Sequence, residues 1–124
     1  MRVFQNKAFS RFAERNGISD GDLCEAVQRM QKGLIDADLG SGVVKQRIAR
    51  KGEGKSGGFR SMILFRAHDR AVFVHGFAKK DIGNIGPREL KALKKLAKLI
   101  LAYSDAEMRR ALASEALIEV RCDG

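Results

Sequence analysis

The sequence predicts a single α+β domain in which helices pack on a small antiparallel sheet. With 124 residues the chain has the size of one ordinary domain, and with 44% apolar residues it can bury a core without disulfides or a metal. Apolar residues recur at helical spacing near both ends, whereas strand-like alternation fills the middle. Residues 1–124 are therefore expected to form one domain with the order β-α-α-β-β-β-α, followed by a shorter helix.

The first third of the chain is expected to contain a short strand and two helices. Residues 2–4 can form the strand, and Asn6 after it offers an N-cap. Apolar residues spaced by three and four predict helices over 7–16 and 20–32. A capping box that begins at Ser19 marks the start of the second helix.

Three consecutive strands are expected in the middle of the chain, at 43–50, 59–67 and 71–77. A tight connection over 67–70 makes the last two an antiparallel hairpin. The apolar residues of the strand at 59–67 alternate between its faces, with Phe59, Ile63 and Phe65 on one face and Met62 and Leu64 on the other.

The last third is expected to be mainly helical. Pro87 fits the first position of a helix whose apolar stripe runs over 90–101, and a shorter helix starts near Ser104. Residues 117–120 are expected to be a strand or an extended tail. The stripe and the strand face that carries Met62 offer more apolar surface than the chain is expected to bury, so we expect a partner's helix or strand to cover part of it.

The charge of the chain favours a polyanionic partner. The formal net charge is +9 and the pI about 10.0. Seven cations and a single acid, Glu53, give residues 45–66 a net charge of +6 around a glycine-rich turn at 52–58. A basic hairpin of this kind suits nucleic acid. The seven cations are Lys45, Arg47, Arg50, Lys51, Lys55, Arg60 and Arg66.

Membrane, disulfide and metal functions receive little support from the sequence. No apolar run approaches the roughly 20 residues of a spanning helix, and residues 1–6 lack the apolar segment of a signal peptide, which favours the cytoplasm. Cys24 and Cys122 are expected to be free thiols in a reducing compartment. Neither they nor His68 and His75 show the spacing of a metal site, and no cofactor is expected.

Four cations are expected to converge at one end of the sheet. Lys55 precedes the strand at 59–67 and Arg60 begins it, whereas Lys79 and Lys80 follow its antiparallel neighbour. The start of one strand and the end of its antiparallel neighbour are close in space. The sequence therefore favours a functional cationic site at this end.

Three motifs resemble the RelE-like, HigB-type toxins of bacterial type II toxin–antitoxin systems. They are Gly-x-Gly-Lys-Ser-Gly-Gly-Phe-Arg at 52–60, Val-His-Gly-Phe-Ala-Lys-Lys at 74–80 and Asp-Ala-Asp-Leu-Gly at 36–40. The resemblance spans nearly the whole chain, from Arg2 to about Val120. It implies a compact RelE/ParE-type fold, cleavage of mRNA, generally on the translating ribosome, and neutralisation by a small antitoxin from the same operon, often with a helix-turn-helix domain.

The resemblance also implies a metal-free reaction. A base removes the proton of a ribose 2′-OH, the oxygen attacks the adjacent phosphate, and cations stabilise the added charge. By resemblance Arg60 holds the phosphate, and Lys55 and Lys51 serve as base or clamp. Lys79, with Lys80 beside it, is a further expected catalytic cation. The residues expected to bind RNA are Lys45, Arg47, Arg50, Lys51 and Arg66.

Two departures from the family pattern concern the general acid. Many relatives carry an arginine after the segment matching 79–81, where this chain has Ile82. Several relatives use a C-terminal catalytic tyrosine, whereas the single tyrosine here is Tyr103 in the helical stripe. His75 and Lys80 are the remaining candidates for this role.

Two further functions are compatible with the sequence. The same fold could bind and block a target without catalysis, as ParE-type relatives do to DNA gyrase. Alternatively, the helices at 7–16 and 20–32 could form the helix-turn-helix of a DNA-binding regulator. Against the regulator, the second helix opens with Asp20, Asp22 and Glu25, which suits a groove of DNA poorly.

Overall fold

The computed structural model describes residues 1–49, 58–78 and 85–122. Its elements follow the expected α+β order with one additional short strand, β2. They are β1 (Arg2–Asn6), α1 (Lys7–Arg15), α2 (Asp20–Gln31), β2 (Ala37–Asp38), β3 (Val43–Ile48), β4 (Phe59–Arg66), β5 (Arg70–Ala78), α3 (Pro87–Ile100), α4 (Asp105–Ala113) and β6 (Leu117–Val120).

The strands form one six-stranded sheet in the order β2-β3-β4-β5-β1-β6. β1 runs parallel to β5, and every other neighbouring pair is antiparallel. The hairpin of β4 and β5 is confirmed, and the C-terminal segment is a strand that pairs with β1 rather than a free tail. None of the described helices is long and apolar enough to cross a membrane.

One side of the sheet, called the back face, is covered by α1 and α2. Phe59, Ile63 and Phe65 of β4 lie on it, as their alternation predicts. Phe9 of α1 packs on Phe73 of β5, with 5.0 Å between the ring centroids. Both helices begin with the predicted caps: the Asn6 side chain accepts the Phe9 N–H, and Ser19 forms a capping box. Burial of the apolar face of each helix against the sheet fixes the back layer.

The opposite side, called the front face, is packed in part by α3 and α4. Met62 and Leu64 lie there against Ala97, Ile100 and Met108. Met62 is 1% exposed and Leu64 is fully buried. The stripe of α3 folds back over the same sheet and buries these two side chains within the chain. Cover of part of this apolar surface by a partner stays a prediction for the remainder of the surface.

A β-bulge in β5 changes which face its side chains occupy. Met62 pairs with His75 and Ile63 with Phe73, so Val74 is an extra residue on β5. Phe73 consequently packs on the back face while Phe77 packs on the front face. Simple alternation would place Phe73, His75 and Phe77 on one side, but the bulge shifts the phase by one residue.

The expectation of two free thiols is also wrong. Cys24 of α2 and Cys122 form a disulfide, with 5.6 Å between their Cα atoms and 98 residues between them in sequence. The physical reason is the pairing of β6 with β1, which carries the C-terminal residues back to α2. The Arg121 N–H also donates to the Asp20 carboxylate at 2.9 Å, so the tail is tied to the start of α2 twice.

Candidate functional site

Two rows of side chains cross β3, β4 and β5 on the front face, beyond the part that α3 packs. In the first row Arg47 pairs with Arg60 and Arg60 with Phe77. In the second, Lys45 pairs with Met62 and Met62 with His75. Directly paired residues of an antiparallel sheet project to the same face, with Cβ atoms about 5 Å apart. We call Lys45, Arg47, Arg60, His75 and Phe77 the cationic row site.

The cationic row site is accessible while its floor is buried. Lys45, Arg47, Arg60 and Phe77 are half-buried and His75 is exposed, whereas Met62 between them is buried. The Lys45 ammonium nitrogen lies 5.9 Å from the centroid of the Phe77 ring. The His75 and Phe77 rings are 5.8 Å apart with an angle of 33° between their planes. The site thus combines fixed cations with two neighbouring aromatic rings.

Arg60 stands at the centre of this site with unused hydrogen-bonding capacity. Its Nη1 is buried and has no hydrogen-bond partner in the part of the chain that the structure describes. Leaving a buried charged donor unsatisfied is unfavourable by about 1–3 kcal/mol or more. The side chain as a whole is half-buried on the accessible front face, and a guanidinium matches the geometry of two phosphate oxygens.

The backbone of β3 at Arg47 is held from two sides. The Arg47 N–H donates to Asp36 Oδ2 at 2.6 Å, and the Arg47 carbonyl accepts from Arg29 Nη2 at 2.6 Å. Gly58 lies beside the guanidinium, since a Cβ added to it would be 3.0 Å from Arg47 Nε. The motif at 36–40 therefore supports the site rather than forming part of it.

Asn6 links the first helix to the bulge that turns His75 and Phe77 toward the front face. Its Oδ1 accepts the Phe9 N–H at 2.8 Å, and its Nδ2 donates to the Val74 carbonyl at 3.3 Å. On the back face Gly76 leaves room for the ring of Phe12, with which any Cβ at Gly76 would overlap. Asn6 and Phe12, both far from β5 in sequence, thus fix the shape of β5 at the site.

Arg66 lies at the opposite end of β4 from Arg60, roughly 20 Å away at about 3.3 Å per strand residue. Its Nη1 donates to the Leu101 carbonyl at 2.6 Å, at the C-terminus of α3, and its guanidinium forms an ion pair with Asp69. Arg70 beside it donates to the Ile100 carbonyl at 3.1 Å. The cations of this end are bonded within the fold.

The structure brings together three of the residues predicted from the sequence and separates a fourth. Lys45, Arg47 and Arg60 share the cationic row site, and Arg66 does not. The remaining predicted residues lie outside the described residues and are Arg50, Lys51, Lys55, Lys79 and Lys80. Across 1–49, 58–78 and 85–122, no group of three or more His, Cys, Asp or Glu residues is placed to hold a metal ion.

Sequence reasoning named His75 as a candidate general acid but missed Phe77 as a member of the site. The omission of Phe77 follows from the bulge, which simple alternation does not contain. A signal was nevertheless present in Gly76, because an isolated glycine inside a strand pattern often marks a bulge or a close approach of another group.

Comparison with known proteins agrees with this fold. The family model of the RelE toxin of the RelE/RelB toxin–antitoxin system matches residues 1–120. No curated protein matches the sequence significantly. The mixed α+β architecture of the described residues is consistent with the RelE fold. The match covers nearly the whole chain, and we conclude that the chain belongs to the RelE family of toxins from toxin–antitoxin systems.

Proposed function

We propose that this protein is a ribosome-dependent mRNA endonuclease that acts in the cytoplasm and blocks translation. One observation carries the proposal: the half-buried Arg60 lies on the accessible front face beside Lys45 and Arg47, and its Nη1 has no partner among the described residues. In a chain of the RelE toxin family, such an anion site is suited to the phosphate of a polynucleotide.

The proposed reaction is attack by a ribose 2′-OH on the adjacent phosphorus. A base removes the hydroxyl proton, the 2′-oxygen bonds to phosphorus, and the bond from phosphorus to the 5′-oxygen breaks. A general acid protonates the leaving oxygen, which yields a 2′,3′-cyclic phosphate and a 5′-OH end. The phosphate gains negative charge in the transition state, so a fixed Arg60 stabilises the transition state more than the bound substrate.

The proton-transfer groups are assigned by resemblance and position. Lys55 is the proposed base or clamp, with Lys79 and Lys80 as further catalytic cations; all three lie outside the described residues. His75 is exposed in the cationic row site and is a candidate general acid, since a protonated imidazole can donate a proton to the leaving oxygen.

RNA binding is proposed to extend from Arg60 along β3. Lys45 and Arg47 are half-buried beside it and face the same side, and Arg50 and Lys51 continue the predicted set. Arg66 stays a prediction as an RNA-binding residue, and its bonds to Asp69 and the Leu101 carbonyl favour a structural role.

A cognate antitoxin is implied by membership of the family. We propose that this partner, a helix-turn-helix protein from the same operon, places acidic side chains on the cationic row site and so competes with RNA. Complementary charge favours that orientation. The narrower HigB-type assignment stays a prediction.

The test is single-turnover cleavage of mRNA in a programmed ribosome complex. Wild-type protein is expected to generate 5′-OH and 2′,3′-cyclic phosphate ends. Lys91→Ala, on the solvated side of α3, is the surface-charge control and should cut at nearly the full rate. Wild-type protein that binds the complex but produces no such ends would refute the nuclease assignment and favour a non-catalytic toxin that binds DNA gyrase.

A further inference from the structure

We propose that Phe77, extended by His75, is a stacking subsite for the nucleobase next to the phosphate that Arg60 holds. This inference rests on the proposed function, because it assigns part of the same site to one component of an RNA substrate. It concerns substrate positioning and base preference rather than the bond-breaking step.

The position of Phe77 is set by the sheet. Phe77 is the direct partner of Arg60 on the neighbouring strand, and both project to the front face. Their Cβ atoms are therefore about 5 Å apart, within the reach of one nucleotide from its phosphate to its base. A phosphate oriented by Arg60 brings the base of the same or the next nucleotide over β5.

The surroundings of Phe77 match those of a stacking platform. The ring is half-buried and rests on the front-face core, so its position is fixed before any ligand arrives. The neighbouring His75 ring, tilted by only 33°, widens the aromatic surface at its exposed side. The Lys45 ammonium near the ring adds a cation for the adjoining backbone phosphate. Aromatic rings beside cations are the usual means of binding single-stranded nucleic acid.

The bulge distinguishes this aromatic residue from an ordinary core residue. Phe73 on the same strand packs in the back-face core against Phe9, and without the extra residue Phe77 would share that face. The bulge places Phe77 and His75 together on the accessible face instead. Bulges that redirect side chains are common beside active sites.

Substitution of Phe77 tests the subsite through substrate affinity. Phe77→Leu keeps an apolar side chain on the core but removes the ring. We expect the concentration for half-maximal cleavage of a programmed ribosome complex to rise roughly tenfold, the usual effect of losing one stacked base, with the saturating rate changed much less. Phe77→Tyr keeps an aromatic ring and should retain the wild-type concentration for half-maximal cleavage.

Phe65→Leu is the matched control, because Phe65 is a half-buried phenylalanine on the neighbouring strand that faces the back. It should leave the half-maximal concentration unchanged. A folded Phe77→Leu protein with the wild-type half-maximal concentration would overturn the subsite.

A fluorescence experiment tests stacking without catalysis. The chain contains no tryptophan, so Phe77→Trp introduces a single reporter. We expect its emission to be quenched by a mixed-sequence octaribonucleotide with 2′-O-methyl groups, which binds but cannot be cut, and Phe65→Trp emission to stay constant. Quenching in a protein that never cleaves would support the subsite while refuting the nuclease function. Cleavage by wild type without quenching, and with unaltered Phe77→Leu affinity, would overturn the subsite alone.

Discussion

Arg60 and Arg66 are the same residue type on the same strand, yet the fold treats them in opposite ways. Arg66 donates to the carbonyl of Leu101 and pairs with Asp69. The buried Nη1 of Arg60 has no such partner in the described segments, and its neighbours across the sheet are Arg47 and Phe77. Positive charge alone therefore does not distinguish these two arginines; their bonding within the fold does.

The two ends of the front face differ in the same manner. At the Arg66 end, α3 covers the sheet and the cations bond to the C-terminus of that helix, a favourable place for positive charge. At the Arg60 end, the cations and the rings of His75 and Phe77 are left accessible. We infer that one end maintains the fold and the other is reserved for a ligand. The following experiments test that division.

Reduction of the disulfide should have the largest effect on the free energy of unfolding. It should have little effect on cleavage at the cationic row site. The bond links Cys24 to Cys122 across 98 residues, and removing a cross-link of that length lowers the free energy of unfolding by about 4.7 kcal/mol in the chain-entropy model. The cystine ties α2 of the back layer to the C-terminal tail, whereas the cationic row site lies on the front face. Urea unfolding with and without dithiothreitol measures the loss, and Cys122→Ser should reproduce it. A parallel fall in cleavage by reduced but folded protein would contradict the division.

The variant Asn6→Ser should show how much the bulge contributes to cleavage, because it should change the free energy of unfolding only slightly. Serine keeps the N-cap of α1 but loses the bond from Nδ2 to the Val74 carbonyl, so His75 and Phe77 lose part of their support. We expect cleavage to fall roughly tenfold, since small displacements of positioned groups are costly to rate, with a free energy of unfolding within about 1 kcal/mol of wild type.

Asn16→Ser provides the matched control for Asn6→Ser. Asn16 also donates its side-chain amide to a backbone carbonyl, that of Phe12 at 2.8 Å, but at the other end of α1. It should leave cleavage unchanged. Equal losses of cleavage in both variants would assign the effect to α1 as a whole rather than to the bulge.

The smallest effect is expected at the far edge of the sheet, where Arg2 of β1 pairs with Glu119 of β6. The hydrogen bond from the Arg2 side chain lowers the pKa of the Glu119 carboxyl from its ordinary value. The ionised Glu119 carboxylate therefore stabilises the fold at pH values above its ordinary pKa. This stabilisation is lost as the pH falls through the lowered pKa of the folded protein. Both side chains are largely exposed, so the contribution is only a few tenths of a kcal/mol.

Glu119→Gln should accordingly be slightly less stable than wild type at pH 7, with the difference shrinking as the pH falls below about 4.5. Chemical unfolding at a series of pH values measures this. A difference that grows toward acid pH would show that the pair does not stabilise the fold in this way.

The sequence predicted the local features of this fold well and its long-range contacts poorly. The caps at Asn6 and Ser19 and the alternation of β4 are local patterns, and the structure contains all of them. The disulfide depends on β6 pairing with β1 from the other end of the chain. The bulge at Val74 depends on the register with β4; Gly76 signals an irregularity in β5 but does not specify which residue is the extra one.

The cationic character of the candidate site was predictable from the sequence, but the full set of residues that form it was not. Clustered cations around the hairpin identified Arg60, Lys45 and Arg47 without contacts being known. The same reasoning could not distinguish Arg60 from Arg66, because their difference comes from the C-terminus of α3, more than thirty residues away in sequence. Phe77 joined the site only because the bulge rotated it to the front face.

The most direct test of the division compares Arg60→Ala with Arg66→Ala in two assays. Arg60→Ala is expected to lower single-turnover cleavage of a programmed ribosome complex by on the order of 10² to 10³, the usual cost of one charge-stabilising donor, while leaving the unfolding free energy near that of wild type. Arg66→Ala is expected to cleave at nearly the wild-type rate and to lose about 1 kcal/mol of stability. Full-rate cleavage by Arg60→Ala, or equal losses of cleavage in the two variants, would contradict the assignment of Arg60 to the ligand and Arg66 to the fold.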